Sequence, residues 1–399
     1  MKYLLSFKDV LGRSLPGGLE AFAILYLSIA IPTFCAVDEI GGITVTFICF
    51  SIFAILFLIA KLNAVHNLSS IKIPFILIGL FISCVLILTV SIIHPIIDTE
   101  GLIIFGKRIG PSDGDNALVT AASSLISGVY PYYEKTFLGN PISLLPGGVI
   151  LAIPFIAIGI PLQNLFWMGA LIAFLIKCGL RLPTAVLIAF IPIISPIFNL
   201  QLLQGIDYSS NNIYILISLG FLLYSIQKGC SKLTLFLIIF ISGLLLSSRI
   251  TYLFLLPILY FSIKYHLGYK LAATITCSII VVLVFVTAPF YFYDPEGFSP
   301  FHVVKKIDHT YNVTTAKFLV VAVTIALGIF LGHFCNGTLM DFYKRCFLVQ
   351  LMLFFFSSIL AWASDGTIPW DNAHYGTLFC YFGIVWGGKK VFEPNKHRE

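Results

Sequence analysis

Asp113 and Asp115, in the run Gly110-Pro-Ser-Asp113-Gly114-Asp115-Asn116, are the residues of this chain whose types and spacing best suit proton chemistry. A carboxylate within hydrogen-bond reach of a hydroxyl takes its proton as the oxygen attacks, which is general-base work. The structural alternative is one Asp capping a helix and the other filling a turn, since Asp suits both positions. The setting favours chemistry. The pair precedes a short helix expected over 116–127 and stopped by Gly128, then an aromatic run, Tyr130-Pro131-Tyr132-Tyr133. A turn-rich stretch follows, from Thr136 through Gly139-Asn140-Pro141 to Leu145-Pro146-Gly147-Gly148. Leu118, Ala122, Leu125 and Ile126 recur every three to four residues, so the helix is expected to lie flat with one face in lipid or protein. The tyrosines read as site lining or as an aromatic belt at a membrane surface.

An anionic leaving group needs positive charge. Arg249, in Ser247-Ser248-Arg249 at the end of an apolar block, is the candidate, because a planar guanidinium grips phosphate through two parallel bonds. Its alternative is an interfacial arginine with its head snorkelling to water. Gln204 and Asp207, in Gln204-Gly205-Ile206-Asp207-Tyr208, are further candidates for lining. So are Lys305 and Lys306, which stand beside His302 and His309 and suit either phosphate or a solvated loop. The 8 histidines lack the paired spacing of a metal site and the 9 cysteines include no C-x-x-C pair, so neither a metal site nor a disulfide framework is assigned.

The elements that carry these residues follow from composition. Hydrophobic residues make up 59% of the 399, charged residues 11%, and the mean hydropathy is +0.99. No water-soluble core hides that much apolar surface, and the apolar blocks are long enough to cross a bilayer as helices. The expected fold is therefore all-α, a polytopic transmembrane helical bundle in one domain, 1–399. Residues 1–93 hold three spans (Leu19 to Val37, Ile43 to Leu62, Pro74 to Ile93), and 94–148 form an external loop with the Asp-Gly-Asp motif and short interfacial helices. The remaining spans fall in 149–399: Pro183 to Leu203, Ile213 to Ile226, Leu233 to Ser248, Ile250 to Ile263, Leu271 to Phe292, Phe318 to Cys335, Phe347 to Ala363 and Gly376 to Trp386. The stretch Val149 to Cys178, broken by Pro154, Pro161 and Asn164, is one kinked crossing or a hairpin of two short helices. About 12 spans (11–13) result. With both ends inside, most of the 24 basic residues face the cytoplasm and most of the 18 acidic ones face out, which places the long loop outside the plasma (inner) membrane. The net charge of +6 is this orientation signal plus contact with anionic lipid, and no nucleic-acid partner is expected.

The segment from Asp113 to Pro154, with Asp before a short helix, then Gly-x-x-Pro-Tyr, Gly-Asn-Pro and Leu-Pro-Gly before a proline-containing helix, resembles the first external loop of GT-C superfamily glycosyltransferases. The bacterial mannosyl- and arabinofuranosyltransferase-like members are the nearest in pattern, and Gly243 to Arg249 followed by Tyr252 is a weaker echo. The resemblance implies an enzyme that moves a sugar from a polyprenyl-phosphate donor to a glycolipid or glycan acceptor on the extracytoplasmic face. It implies Asp113 or Asp115 as the base, the other orienting the acceptor or holding a divalent cation (Mg or Mn), the one cofactor left open. Arg249, Tyr130, Tyr132, Asn140, Gln204, Asp207, Lys305 and Lys306 would bind substrate. Two other readings stand beside it. An O-antigen-type polymerase or ligase carries its main loop later and relies on arginines. A flippase or transporter fits the broken helices near Pro154 and Pro161, but the spans lack buried charge and repeat symmetry.

Overall fold

A computed structural model describes residues 18–66, 87, 89, 92–94, 96, 102–104, 107–109, 112–301, 314–368 and 370–393. Most of the expected span Pro74 to Ile93, and both Lys305 and Lys306, lie outside the described residues. The described chain is overwhelmingly helical. Its principal helices are α1 (Leu19–Phe34), α2 (Gly42–His66), α3 (Gly114–Ile126), α4 (Pro146–Ile156), α5 (Leu162–Lys177), α6 (Leu182–Phe190), α7 (Pro196–Leu203), α8 (Tyr208–Lys228), α9 (Lys232–Leu246), α10 (Leu256–Tyr293), α11 (Thr314–His333), α12 (Leu339–Asp365), α13 (Trp370–Tyr375) and α14 (Thr377–Phe392). A small antiparallel hairpin, β1 (Leu102–Ile104) and β2 (Lys107–Ile109), pairs Ile103 with Arg108 inside the long loop. These three-residue strands lie within the loop and leave the all-α class unchanged.

Among the described residues four helical stretches are long and apolar enough to cross a membrane: Gly42–Leu62, Tyr208–Lys228, Ile250–Tyr293 and Leu339–Ala363. A fifth follows if Leu182–Ile194 and Pro196–Leu203, bent by 92°, are one broken span. Large apolar side chains such as Phe47, Phe50, Phe285 and Phe318 point outward. Water would penalise such a surface and lipid does not, so the chain is a helical membrane protein. Several expected spans are shorter or broken. Val149 to Cys178 resolves into two helices, α4 and α5, joined by the turn 157–161. The expected spans Ile250 to Ile263 and Leu271 to Phe292 run on from a 3-10 turn through α10, which breaks at Gly268, a residue at φ 76° that only glycine adopts cheaply.

The main core gathers around α14, most of whose side chains are buried. It packs on α1 where Gly383 and Gly387 face Ser28 and the Ala21–Leu25 backbone so closely that an added Cβ would lie 2.1 Å from Ser28 Oγ and 2.8 Å from the Ala21 carbonyl. Small residues four apart let membrane helices approach in this way. A second, smaller core lies under the long loop. Leu118, Ala121 and Ala122 of α3 pack with Ile142, Leu144 and Val149 at the start of α4, and with Tyr132 and Phe298. Helix α3 starts at Gly114, earlier than expected, and Ile126 of its expected apolar face is exposed.

Candidate functional site

The turn between α7 and α8 organises the site. Helix α7 begins at Ser195, whose hydroxyl accepts from the Ile197 N–H, and Pro196 fixes its first turn. It ends at Gln204. Gly205 then reverses the chain at φ 69°, and Asp207 occupies the N-cap position of α8. Asn164, in the first turn of α5, clamps this turn: its Nδ2 donates to the Ile206 carbonyl at 2.9 Å and its Oδ1 accepts from the Ser210 N–H and hydroxyl.

The loop aspartates reach this turn differently. Asp115, in the first turn of α3, is 6% exposed. A Cβ on Gly205 would lie 2.9 Å from Asp115 Cβ, so glycine is what lets turn and helix meet. Asp115 Oδ2 lies 3.2 Å from His94 Nε2, and Oδ1 is buried with no partner. His94 Nδ1 lies 2.9 Å from the Leu203 carbonyl. Asp113 sits at the N-cap position of α3, but its side chain caps nothing. Its Oδ2 instead accepts from Thr136 Oγ1 at 2.5 Å and Asn140 Nδ2 at 2.8 Å, tying down the strap 136–140, whose two ends also join through the Thr136 N–H and the Asn140 carbonyl.

Arg249 meets the same turn from the other side. Its Nη2 donates to Asp207 Oδ1 at 2.9 Å, and its guanidinium lies over the Tyr208 ring, 4.7 Å from the centroid. Burial alone would lower its pKa, but the Asp207 carboxylate and the surrounding tyrosines outweigh that and raise it, so the cation is secure. Asp207 Oδ2 accepts from Asn211 Nδ2 at 2.7 Å. Arg249 Nε is buried without a partner, and so is Gln204 Oε1. The segment Leu145-Pro146-Gly147 docks just ahead of Arg249. The Leu145 and Gly147 N–H groups donate to the Ser248 and Ser247 carbonyls, and Gly147 has room for no Cβ, which would lie 2.2 Å from Ser247 Oγ.

The structure thus brings Asp115, Gln204, Asp207 and Arg249 to one turn, with Asp113 and Asn140 bonded to each other at the head of α3. Tyr130 and Tyr132 are placed elsewhere. The Tyr130 hydroxyl donates to the Phe290 carbonyl at 2.8 Å and its ring stacks on Tyr293, pinning the loop to the end of α10. Burial, then the Asp294 carboxylate, push that hydroxyl up to about 12, so it stays a neutral donor. Tyr132 is buried edge-on against Phe298. Among the described residues no group of three or more His, Cys, Asp or Glu side chains is gathered as for a metal ion, and the two loop carboxylates turn to different partners rather than to a shared centre.

His94 is the residue that sequence reasoning missed. It stands alone after an apolar block with no partner at recognisable spacing, and only folding places it between Leu203 and Asp115. No protein-family model, curated protein or solved structure matches this chain.

Proposed function

We propose that this protein is a membrane glycosyltransferase of GT-C type. It takes a sugar from a polyprenyl-phosphate donor and passes it to a glycolipid or glycan acceptor on the outer face of the plasma membrane, and the loop pattern makes mannose and arabinofuranose the donors to test. In this reading the chain crosses about twelve times with both ends inside. Asp115 is the base and Asp113 a structural tie. Arg249 faces the departing phosphate.

The observation that supports this reading is the convergence on one turn of a buried carboxylate with an unpartnered oxygen and a half-buried arginine whose Nε is buried without a partner, brought there by segments far apart in sequence. Transfer of a sugar needs both: an acceptor for the hydroxyl proton and a cation for the phosphate that leaves. Asp115 suits the base better than Asp113 because Asp113 already accepts two hydrogen bonds through Oδ2, while Asp115 Oδ1 accepts none. A site with two carboxylates close together is not required, since the leaving phosphate needs no protonation at its low pKa.

The test is transfer from synthetic polyprenyl-phosphate mannose and arabinofuranose to membrane glycolipid extract, using the full chain in nanodiscs. Asp115→Asn is expected to lower turnover by about 10²- to 10⁴-fold while thermal melting stays near wild type. Wild-type protein that transfers neither sugar, or an Asp115→Asn protein with normal turnover, defeats the reading.

A further inference from the structure

We propose that His94 is a positioning residue for Asp115: doubly protonated, it bridges the Leu203 carbonyl and Asp115 Oδ2 and so turns Oδ1 toward the hydroxyl that reacts. The pairing itself stands on geometry. Its part in catalysis rests on the transferase reading above.

A carbonyl oxygen has no proton to give, so in the 2.9 Å contact between His94 Nδ1 and Leu203 it is the ring nitrogen that donates. That fixes the hydrogen on Nδ1. The other ring nitrogen, Nε2, then lies 3.2 Å from Asp115 Oδ2. A bare nitrogen lone pair facing a carboxylate oxygen at that distance is repulsive, so a second proton lies between them. With the carboxylate ionised, that proton makes His94 an imidazolium with two N–H donors, one on each partner. The bond to Oδ2 leaves Oδ1, which is buried and has no partner. Gly205 closes over both side chains, since a Cβ there would lie 2.9 Å from Asp115 Cβ and 3.5 Å from His94 Cε1.

Among the described residues, the charged side chains on the helix and turn that hold the pair are compatible with this state. Asp113, at the start of the same helix, accepts only neutral donors, so its negative charge favours a cation nearby. On the turn beneath, Asp207 and Arg249 neutralise each other. In the reaction the acceptor O–H bond breaks as its oxygen bonds to the anomeric carbon. The bond from that carbon to the phosphate oxygen breaks, and its electron pair leaves with the phosphate. The proton lands on Asp115 Oδ1 and passes to water after the product departs. His94 keeps its own protons throughout, so it positions rather than reacts.

Two measurements on the full chain in nanodiscs test this. The first is ¹⁵N spectroscopy of labelled histidine side chains, with His94→Gln used to assign the His94 signals. Both His94 ring nitrogens are expected to be protonated near neutral pH, and Asp115→Asn is expected to move the Nε2 titration to lower pH by about one unit or more. The second is the pH profile of transfer from polyprenyl-phosphate mannose and arabinofuranose. His94→Ala is expected to lower kcat about tenfold or more with donor KM little changed. His94→Gln, whose amide donates at every pH, is expected to recover part of that loss and to lack the alkaline fall that deprotonation of His94 imposes on the wild type. A His94 titration unmoved by Asp115→Asn, or a kcat for His94→Ala equal to wild type, overturns the proposal. If the titrations couple but wild-type protein transfers neither sugar, the pairing stands and it is the transferase reading that falls.

Discussion

Replacing Asp113 by alanine removes the acceptor of two hydrogen bonds that hold the strap 136–140 to the head of α3. Thr136 is buried, so its hydroxyl loses a charge-assisted bond worth about 1.5–3 kcal/mol and finds no water in exchange. Asn140 is exposed, and solvent replaces most of what it loses, leaving a share below about 1 kcal/mol. The variant is therefore expected to be about 2–4 kcal/mol less stable, while Asp113→Asn, which keeps a carbonyl oxygen for one of the donors, costs about 1 kcal/mol. Turnover measured well below the melting temperature is expected to stay within about tenfold of wild type, because Asp115, the proton acceptor in the proposed function, is untouched. Thermal melting in nanodiscs and limited proteolysis near Glu134 report the first effect, and sugar transfer reports the second. The opposite pattern, with normal melting and turnover reduced by about 10²-fold or more, would refute the assignment and make Asp113 the base.

Arg249→Ala strands the buried Asp207 carboxylate and is expected to cost about 3–5 kcal/mol, with the Asp207→Asn, Arg249→Ala double variant recovering part of it; equal melting of single and double variants contradicts the pairing. Gly205→Ala combines a left-handed backbone with a clash at Asp115 and is expected to lose about 2–4 kcal/mol, whereas Gly179→Ala, at φ 89° with open space around it, loses only about 1–2 kcal/mol. His374, outside the spanning segments, is held neutral by burial, which lowers its pKa to about 4. Because the unfolded chain takes up that proton near the ordinary value of 6.5 and the folded one does not, stability is full above 6.5 and falls by about 1.4 kcal/mol per pH unit from there toward 4. His374→Gln is expected to flatten that slope in melting curves. For orientation, Glu134→Cys is expected to label with an impermeant reagent from outside and Lys228→Cys only after permeabilisation, and labelling of both from one side contradicts the topology.

The helices with the strongest apolar character were legible from hydropathy because lipid selects for length and apolarity alone. The positions from Ile213 to Ile226 lie within α8 and those from Ile43 to Leu62 within α2, each extended by residues at the ends that hydropathy undervalues. What hydropathy does not see is where an apolar run bends. Residues 183–203 read as a single crossing, yet Pro192 and the Ser195-Pro196 cap divide them into pieces at 92°. Of the residues gathered at this turn, sequence reading singled out Asp115 from the Asp-Gly-Asp run of the long loop, and Gln204, Asp207 and Arg249 from their places at the ends of apolar blocks. The hydrogen bonds of Asp113 were not legible, because its partners Thr136 and Asn140 lie across a loop whose closure no local periodicity encodes. Tyr130 shows the same limit: its sequence fits site lining or an aromatic belt, and its bond to the Phe290 carbonyl is visible only in the fold.

One short turn couples the two halves of the proposed chemistry. The Leu203 carbonyl holds His94, Gly205 packs on Asp115, and Asp207 holds Arg249. From Leu203 to Asp207 the chain can extend no further than about 14 Å, so the anchors of the proton acceptor and of the cation are fixed relative to each other by a single piece of backbone. Asn164 clamps that piece at Ile206, so it does not flex independently of α5. In the proposed reading, the ion pair between Asp207 and Arg249 does not remove the arginine from use. It occupies one Nη2 bond and sets the plane of the guanidinium against Tyr208, while Nε remains buried and without a partner. A phosphate oxygen entering there would meet a donor already desolvated and oriented, the condition under which charge stabilisation acts without the cost of reorganising solvent.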